Sequence, residues 1–71
     1  MALSQAPKGA RVMIVSLNLQ EAEMNRLTAL GLIPGTRIRI IDNSTADTSL
    51  IECKGVRLAL GRGLPKLIEV K

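Results

Sequence analysis

The sequence predicts a mainly β domain: a small closed barrel of five short strands, with one short α-helix between strands one and two. Three observations predict it. Residues 36–42 alternate strictly, with Ile38 and Ile40 on one side and Arg37 and Arg39 on the other. Three further runs, 11–17, 49–54 and 56–60, are short, apolar and bounded by turn residues. Only residues 19–30 combine helix-forming composition with apolar spacing of three, at Met24, Leu27 and Leu30. A length of 71 residues leaves room for one core and one domain, with residues 1–9 as a polar lead-in. Closure into a barrel leaves few unpaired strand edges and lets every strand contribute to that core.

The elements follow in order. Pro7-Lys8-Gly9-Ala10 reads as a turn, and residues 11–17 as strand one with Val12 and Ile14 on one face and Met13 and Val15 on the other. Asn18 is placed to cap a helix, with Glu21 three residues on to bond back, and Glu21 and Glu23 set negative charge at the positive helix end. Glu23 and Arg26 pair on the wet side. Gly31 ends the helix in a left-handed conformation, and Leu32 folds back on the last turn. Ile33-Pro34-Gly35-Thr36 has the proline and glycine of a type II turn, and strand two follows. Residues 43–48 form a hairpin loop, 49–54 strand three, Gly55 a reversal and 56–60 strand four. Residues 61–65 break the chain as a turn of 3₁₀ helix, and residues 67–70 are the last strand. The expected inward set is Val12, Ile14, Met24, Leu27, Leu30, Leu32, Ile38, Ile40, Ile51, Cys53, Val56, Leu58, Leu60, Ile68 and Val70.

Composition excludes several kinds of chemistry. With no histidine and one cysteine, the chain cannot build a Cys/His zinc site or a histidine-activated nucleophile, and no internal disulfide is available. The six acidic residues show no acid/base or metal spacing; Asp42 and Asp47 flank the 43–48 loop, where aspartate is ordinary turn chemistry. Cys53 falls at an inward strand position and reads as a buried structural thiol. Gly61-Arg62-Gly63 lacks the glycines and the lysine-serine/threonine ending of a phosphate loop. No catalytic residue and no cofactor are expected. No apolar run approaches the roughly 20 residues of a membrane span, no export signal is visible, and a lone thiol suits a reducing cytosol.

A net charge of +4 suits either of two roles: steering toward nucleic acid, an anionic membrane surface or an acidic protein, or solubility alone. The absence of aromatic residues argues against stacking single-stranded bases. Arg37, Arg39, Lys54 and Arg57 are expected to project from strands two to four as one basic face, interrupted by Glu52. Beside it, Leu32, Ile33 and Leu64 are expected to form an apolar rim. Gly31, Pro34, Gly35 and Gly55 are assigned structural roles in the helix exit and the turns.

Residues 26–41, RLTALGLIPGTRIRII, resemble the signature of the ferrous iron transport protein A (FeoA) family. The shared features are Arg26-Leu27, Leu30-Gly31-Leu32, Pro34-Gly35 and the alternating Ile38 and Ile40. Lys8-Gly9, the Gly55 to Leu58-Ala59-Leu60 stretch and Leu67-Ile68-Glu69-Val70 extend the likeness over residues 4–71. Ala29 departs from it, standing where the family often carries a larger residue or an acid. The resemblance implies an SH3-like barrel and a cytosolic accessory protein of bacterial ferrous iron uptake, peripheral at the membrane through its partner. That partner would be the FeoB-type transporter, gripped at its cytosolic GTP-binding domain. Arg37, Arg39 and Arg57 would steer by charge, and Leu32, Ile33 and Leu64 would make apolar contact. The same barrel occurs as a module of metal-dependent repressors, but this chain has no room for their DNA-binding helices. Family members are associated with transition-metal binding, for which this sequence shows no evident ligand cluster. Self-association into a homo-oligomer stays open, and a small basic barrel binding nucleic acid is the alternative.

Overall fold

Alternation of apolar and polar residues at period two produces five antiparallel strands in the computed structural model, which describes residues 1–45 and 47–71. They are β1 (Arg11–Leu17), β2 (Arg37–Asp42), β3 (Ser49–Cys53), β4 (Val56–Leu60) and β5 (Ile68–Val70). One α-helix, α1 (Glu21–Ala29), lies between β1 and β2, and 3₁₀ turns occupy Leu3–Gln5 and Leu64–Leu67. Ala46, within the expected 43–48 loop, lies outside the described residues.

The sheet runs β4-β3-β2-β1-β5. β1 serves two partners. Its first half pairs with β2, with Arg11 opposite Arg39 and Met13 opposite Arg37. Its second half pairs with β5, with Ile14 opposite Val70 and Leu17 opposite Ile68, after an irregularity at Val15. A bulge bends a strand and adds twist, and this one rolls the sheet around a core of Val12, Ile14, Ile38, Ile40, Ile51, Ile68 and Val70. Among the described residues no ladder joins β4 to β5, so the barrel is rolled but not closed by strand pairing. The chain's N-terminus covers the outer edge of β5 instead: Ala2 bridges Glu69, and the Val70 N–H donates to the Met1 carbonyl at 2.8 Å.

The first nine residues are therefore not a polar lead-in. Leu3 and Ala6 are buried in the core cluster. Asn43 fastens them: its Nδ2 donates to the Leu3 and Ala6 carbonyls at 2.8 Å each, and its Oδ1 accepts from the Ser49 hydroxyl. This network satisfies Ser49, the one buried polar residue of the described core.

The helix starts later than its sequence suggests. Asn18 does not cap it; the Asn18 N–H donates to the Leu67 carbonyl at 2.9 Å, extending the β1–β5 pairing. The N-cap is Gln20, without a side-chain bond, while Glu21 and Glu23 occupy the first turn and Arg26 bonds Glu23 at 2.8 Å. At the other end Gly31 has φ 84, its N–H donates to the Thr28 carbonyl and the Leu32 N–H to the Leu27 carbonyl. These are the two bonds of a Schellman motif, which turns the chain back on the helix. The motif decides the core: Leu32 goes in with Leu27, and Leu30, expected inside, is 50% exposed. The next turn places Gly35 at φ 93 and closes with the Thr36 N–H on the Ile33 carbonyl at 3.0 Å.

Two further expectations for the core fail at the β3–β4 hairpin. Lys54 is not a strand residue: Lys54 (φ 53) and Gly55 (φ 81) form the two-residue loop between the Cys53–Val56 pair. Positive φ at both positions is the signature of the hairpin turn whose twist matches its strands. Val56 begins the edge strand β4, outside its buried partner Cys53, and is 56% exposed, and Leu58 is only partly buried. Cys53 is buried with a free thiol. No helix of the described residues is long and apolar enough to cross a membrane.

Candidate docking surface

Sending Val12, Ile14, Ile38, Ile40 and Ile51 into the core sends their neighbours to the opposite face of the sheet. Three of these neighbours and Arg57 of β4 line up across four strands: Arg11 opposite Arg39, Arg39 opposite Glu52, and Glu52 opposite Arg57. Glu52 sits between two guanidinium groups, with Arg39 Nη2 on Oε1 at 3.1 Å and Arg57 Nε near Oε2 at 3.8 Å. Partly solvated pairs of this kind contribute about 0–1 kcal/mol each, so their effect is to hold side chains in place more than to stabilise the fold. A second row runs beside the first. Met13 faces Arg37 across one ladder and exchanges both backbone bonds with Lys71 on its other side, at 2.8 and 3.0 Å. Together the rows border an open groove of about 750 Å³ lined by Arg11, Met13, Arg37, Arg39, Glu52 and Lys71 with Val12 and Ile38.

The structure brings Arg37, Arg39 and Arg57 to one face, and Glu52 interrupts it as a bridge between Arg39 and Arg57. Lys54 does not belong to the face, because it is a hairpin-loop residue. The apolar rim is different from the expected one. Leu32 is fully buried and Leu64 is 5% exposed, so neither side chain is offered to a partner. Ile33 is exposed, and so is Leu30 on the other side of the Gly31-Leu32 exit. Sequence reasoning missed Arg11, Met13 and Lys71 as members of the groove. Alternation alone assigns Met13 to the outer face of β1, and Arg11 follows from the same rule; placing them beside β2 and Lys71 requires the register.

Metal-ligating groups do not converge. Among the described residues no three of His, Cys, Asp or Glu come together. Asp42, at the end of β2, accepts a bond from the Ser44 hydroxyl at 3.0 Å, and the Asp47 carbonyl accepts from the Gly63 N–H at 3.1 Å.

Comparison with known proteins bears on this geometry. The model of the FeoA domain family matches residues 1–71. A Methanocaldococcus jannaschii protein, provisionally named Fe(2+) transport protein A, is 30% identical over 69 residues, covering 97% of this chain and 83% of that protein. The solution structure of the FeoA protein from Chlorobium tepidum matches with a TM-score of 0.87 at 28% identity, over 99% of this chain and 68% of the other. Stenotrophomonas maltophilia FeoA, solved as a zinc complex and described as a prokaryotic SH3 domain protein, matches with a TM-score of 0.81 at 25% identity, over 100% of this chain and 89% of the other. The five-stranded fold is thus SH3-like, and with a family model matched from end to end the chain belongs to the FeoA family, which is linked to ferrous iron transport.

Proposed function

We propose that this chain is a non-catalytic cytosolic accessory protein of bacterial ferrous iron uptake, which docks on the cytosolic GTP-binding region of a FeoB-type membrane transporter and modulates Fe(II) passage. The observation that carries this reading is the family match over residues 1–71, together with a relative named for Fe(2+) transport. The S. maltophilia relative has itself been put forward as an activating factor for bacterial ferrous iron transport. The geometry supports a binding role, because the cationic side chains of β1 and β2, with Lys71, converge on one open groove that Arg57 of β4 flanks through Glu52. The donor set does not fit a transition-metal centre: the chain has no histidine, Cys53 is in the core, and no carboxylate cluster forms among the described residues. The reading therefore routes no step through a resident metal, and Fe(II) enters only as the transporter's cargo.

The test is calorimetric titration of the chain into the transporter's isolated GTP-binding domain and into the detergent-solubilised full transporter, with GTP hydrolysis and Fe(II) flux followed in parallel. Saturable binding to either, with a change in hydrolysis or flux, supports the proposal. Failure to bind both at low ionic strength refutes it.

A further inference from the structure

The charge of the chain is not spread evenly. Ten residues are Lys or Arg and six are Asp or Glu. Arg11, Arg37, Arg39, Arg57 and Lys71 border the β1–β4 face, with Glu52 as its one acidic side chain among the described residues. Five cations against one acid make up the whole +4 excess, and the five cations and five acids elsewhere balance. Within the face, Glu52 engages Arg39 and Arg57, while Arg11, Arg37 and Lys71 form no ion pair among the described residues. Arg11 and Arg39 stand directly opposite each other across the β1–β2 ladder. Like charges in that position destabilise a sheet, and an anion lying over the seam removes the penalty.

We infer that this groove binds an acidic segment of a partner polypeptide, with carboxylates over Arg11, Arg37 and Lys71 and an apolar side chain against Met13. The inference deepens the docking reading above and rests on it. Three features select polypeptide carboxylates over other anions. An extended segment repeats its side chains on one face at about 6.6–6.8 Å, the interval that separates Arg11 from Met13 along β1. The second row reads cation, thioether, cation, from Lys71 through Met13 to Arg37, so an apolar contact lies between two charged ones. The chain carries no aromatic ring on which bases could stack. The surface is also a groove, whereas an anionic bilayer presents a flat plane. Guanidinium groups bind carboxylates through paired, charge-assisted bonds, which gives the contact direction as well as attraction.

The experiment is an NMR titration of the isotopically labelled chain with an acetylated, amidated Glu-Glu-Leu-Glu-Glu peptide. Its Gln-Gln-Leu-Gln-Gln counterpart, a dT10 oligonucleotide and vesicles of 30% phosphatidylglycerol serve as competing arms. Shifts confined to residues 11–13, 37–39, 52 and 71, seen with the acidic peptide and not with its amide counterpart, are expected. The paired change R11E and R37E is expected to weaken peptide binding by at least about tenfold, as the loss of two charged contacts implies. Lys66→Glu makes a charge reversal beside a separate groove near the β1–β5 pairing and should leave binding unchanged. Glu52→Gln frees Arg39 and Arg57 and should tighten it. Shifts elsewhere, equal binding by the R11E and R37E variant, or tighter binding of the oligonucleotide or the vesicles overturns the inference. The same variant separates the two readings. If the GTP-binding domain binds wild type and variant alike, the groove assignment fails and the docking proposal stands. If the acidic peptide binds the groove while neither the domain nor the full transporter binds, the proposed partner is wrong.

Discussion

Asn43→Ala is the substitution with the sharpest structural expectation. It removes two donated bonds, to the Leu3 and Ala6 carbonyls at 2.8 Å, and the acceptor of the Ser49 hydroxyl. Ser49 is fully buried, so its hydroxyl has no water to turn to. Each lost bond removes a net 0.5–1.5 kcal/mol, which gives about 2–4 kcal/mol for the three. A domain of this length has a total of roughly 4–10 kcal/mol, at about 0.05–0.15 kcal/mol per residue. The variant should therefore lose a large share of its stability, and its Tm should fall by about 8–32 °C at roughly 4–8 °C per kcal/mol. The chain has no Trp, Tyr or Phe, so urea unfolding is followed by far-ultraviolet circular dichroism. Ser49→Ala and the double variant complete a cycle whose coupling, about 1 kcal/mol, isolates the Asn43–Ser49 bond. Asn43→Asp should be at least as damaging at neutral pH, since a carboxylate then faces two carbonyl oxygens. If Asn43→Ala unfolds within about 0.5 kcal/mol of wild type, the span of an inert surface change, the clasp between N-terminus and β3 is wrong.

Two other predictions test the helix exit. A Cβ added at Gly31 would meet nothing within 4 Å, so the cost of Gly31→Val comes from the backbone at φ 84 and should be about 1–2 kcal/mol or more. Gly31→Asn should cost less, because asparagine tolerates the left-handed region; a valine variant as stable as wild type would show that this cap contributes nothing. Leu27→Ala should cost about 2–5 kcal/mol, as burial in the core implies. Leu30→Ala, on the exposed side, should stay within about 0.5 kcal/mol, and a loss comparable to that of Leu27→Ala would reverse the assignment of the helix face.

The basic face was only partly readable in the chain. Arg37 and Arg39 are visible as outward residues because Ile38 and Ile40 alternate with them. Glu52 and Arg57 are outward by the same rule. What they do together is not visible, because the Arg11–Arg39–Glu52–Arg57 row needs three registers at once. A slip of one residue in any ladder would send one member of the row into the core. Lys54 shows the reverse error: it continues the apparent pattern of β3, but the hairpin takes it for its turn. Leu32 and Leu64 looked available as rim residues and are buried, since turns at Gly31 and Gly63 direct the following leucine inward.

By itself the sequence determined the number, kind and order of the strands and the place of the helix. Those follow from short-range physics: alternation at period two, a glycine at positive φ, a proline in a turn. It also determined what chemistry is absent, because a chain without histidine lacks those groups in any fold. Only the tertiary structure decided which residues meet. Leu3 becomes core because β5 leaves an edge that the N-terminus covers, and Val56 stays outside because it lies at the end of β4, the outer strand of the sheet, while its partner Cys53 goes in. Arg11 and Lys71 join the basic groove because β1 splits its hydrogen bonds between β2 and β5. Burial and neighbourhood are set by contacts between residues distant along the chain, and local pattern carries no term for them.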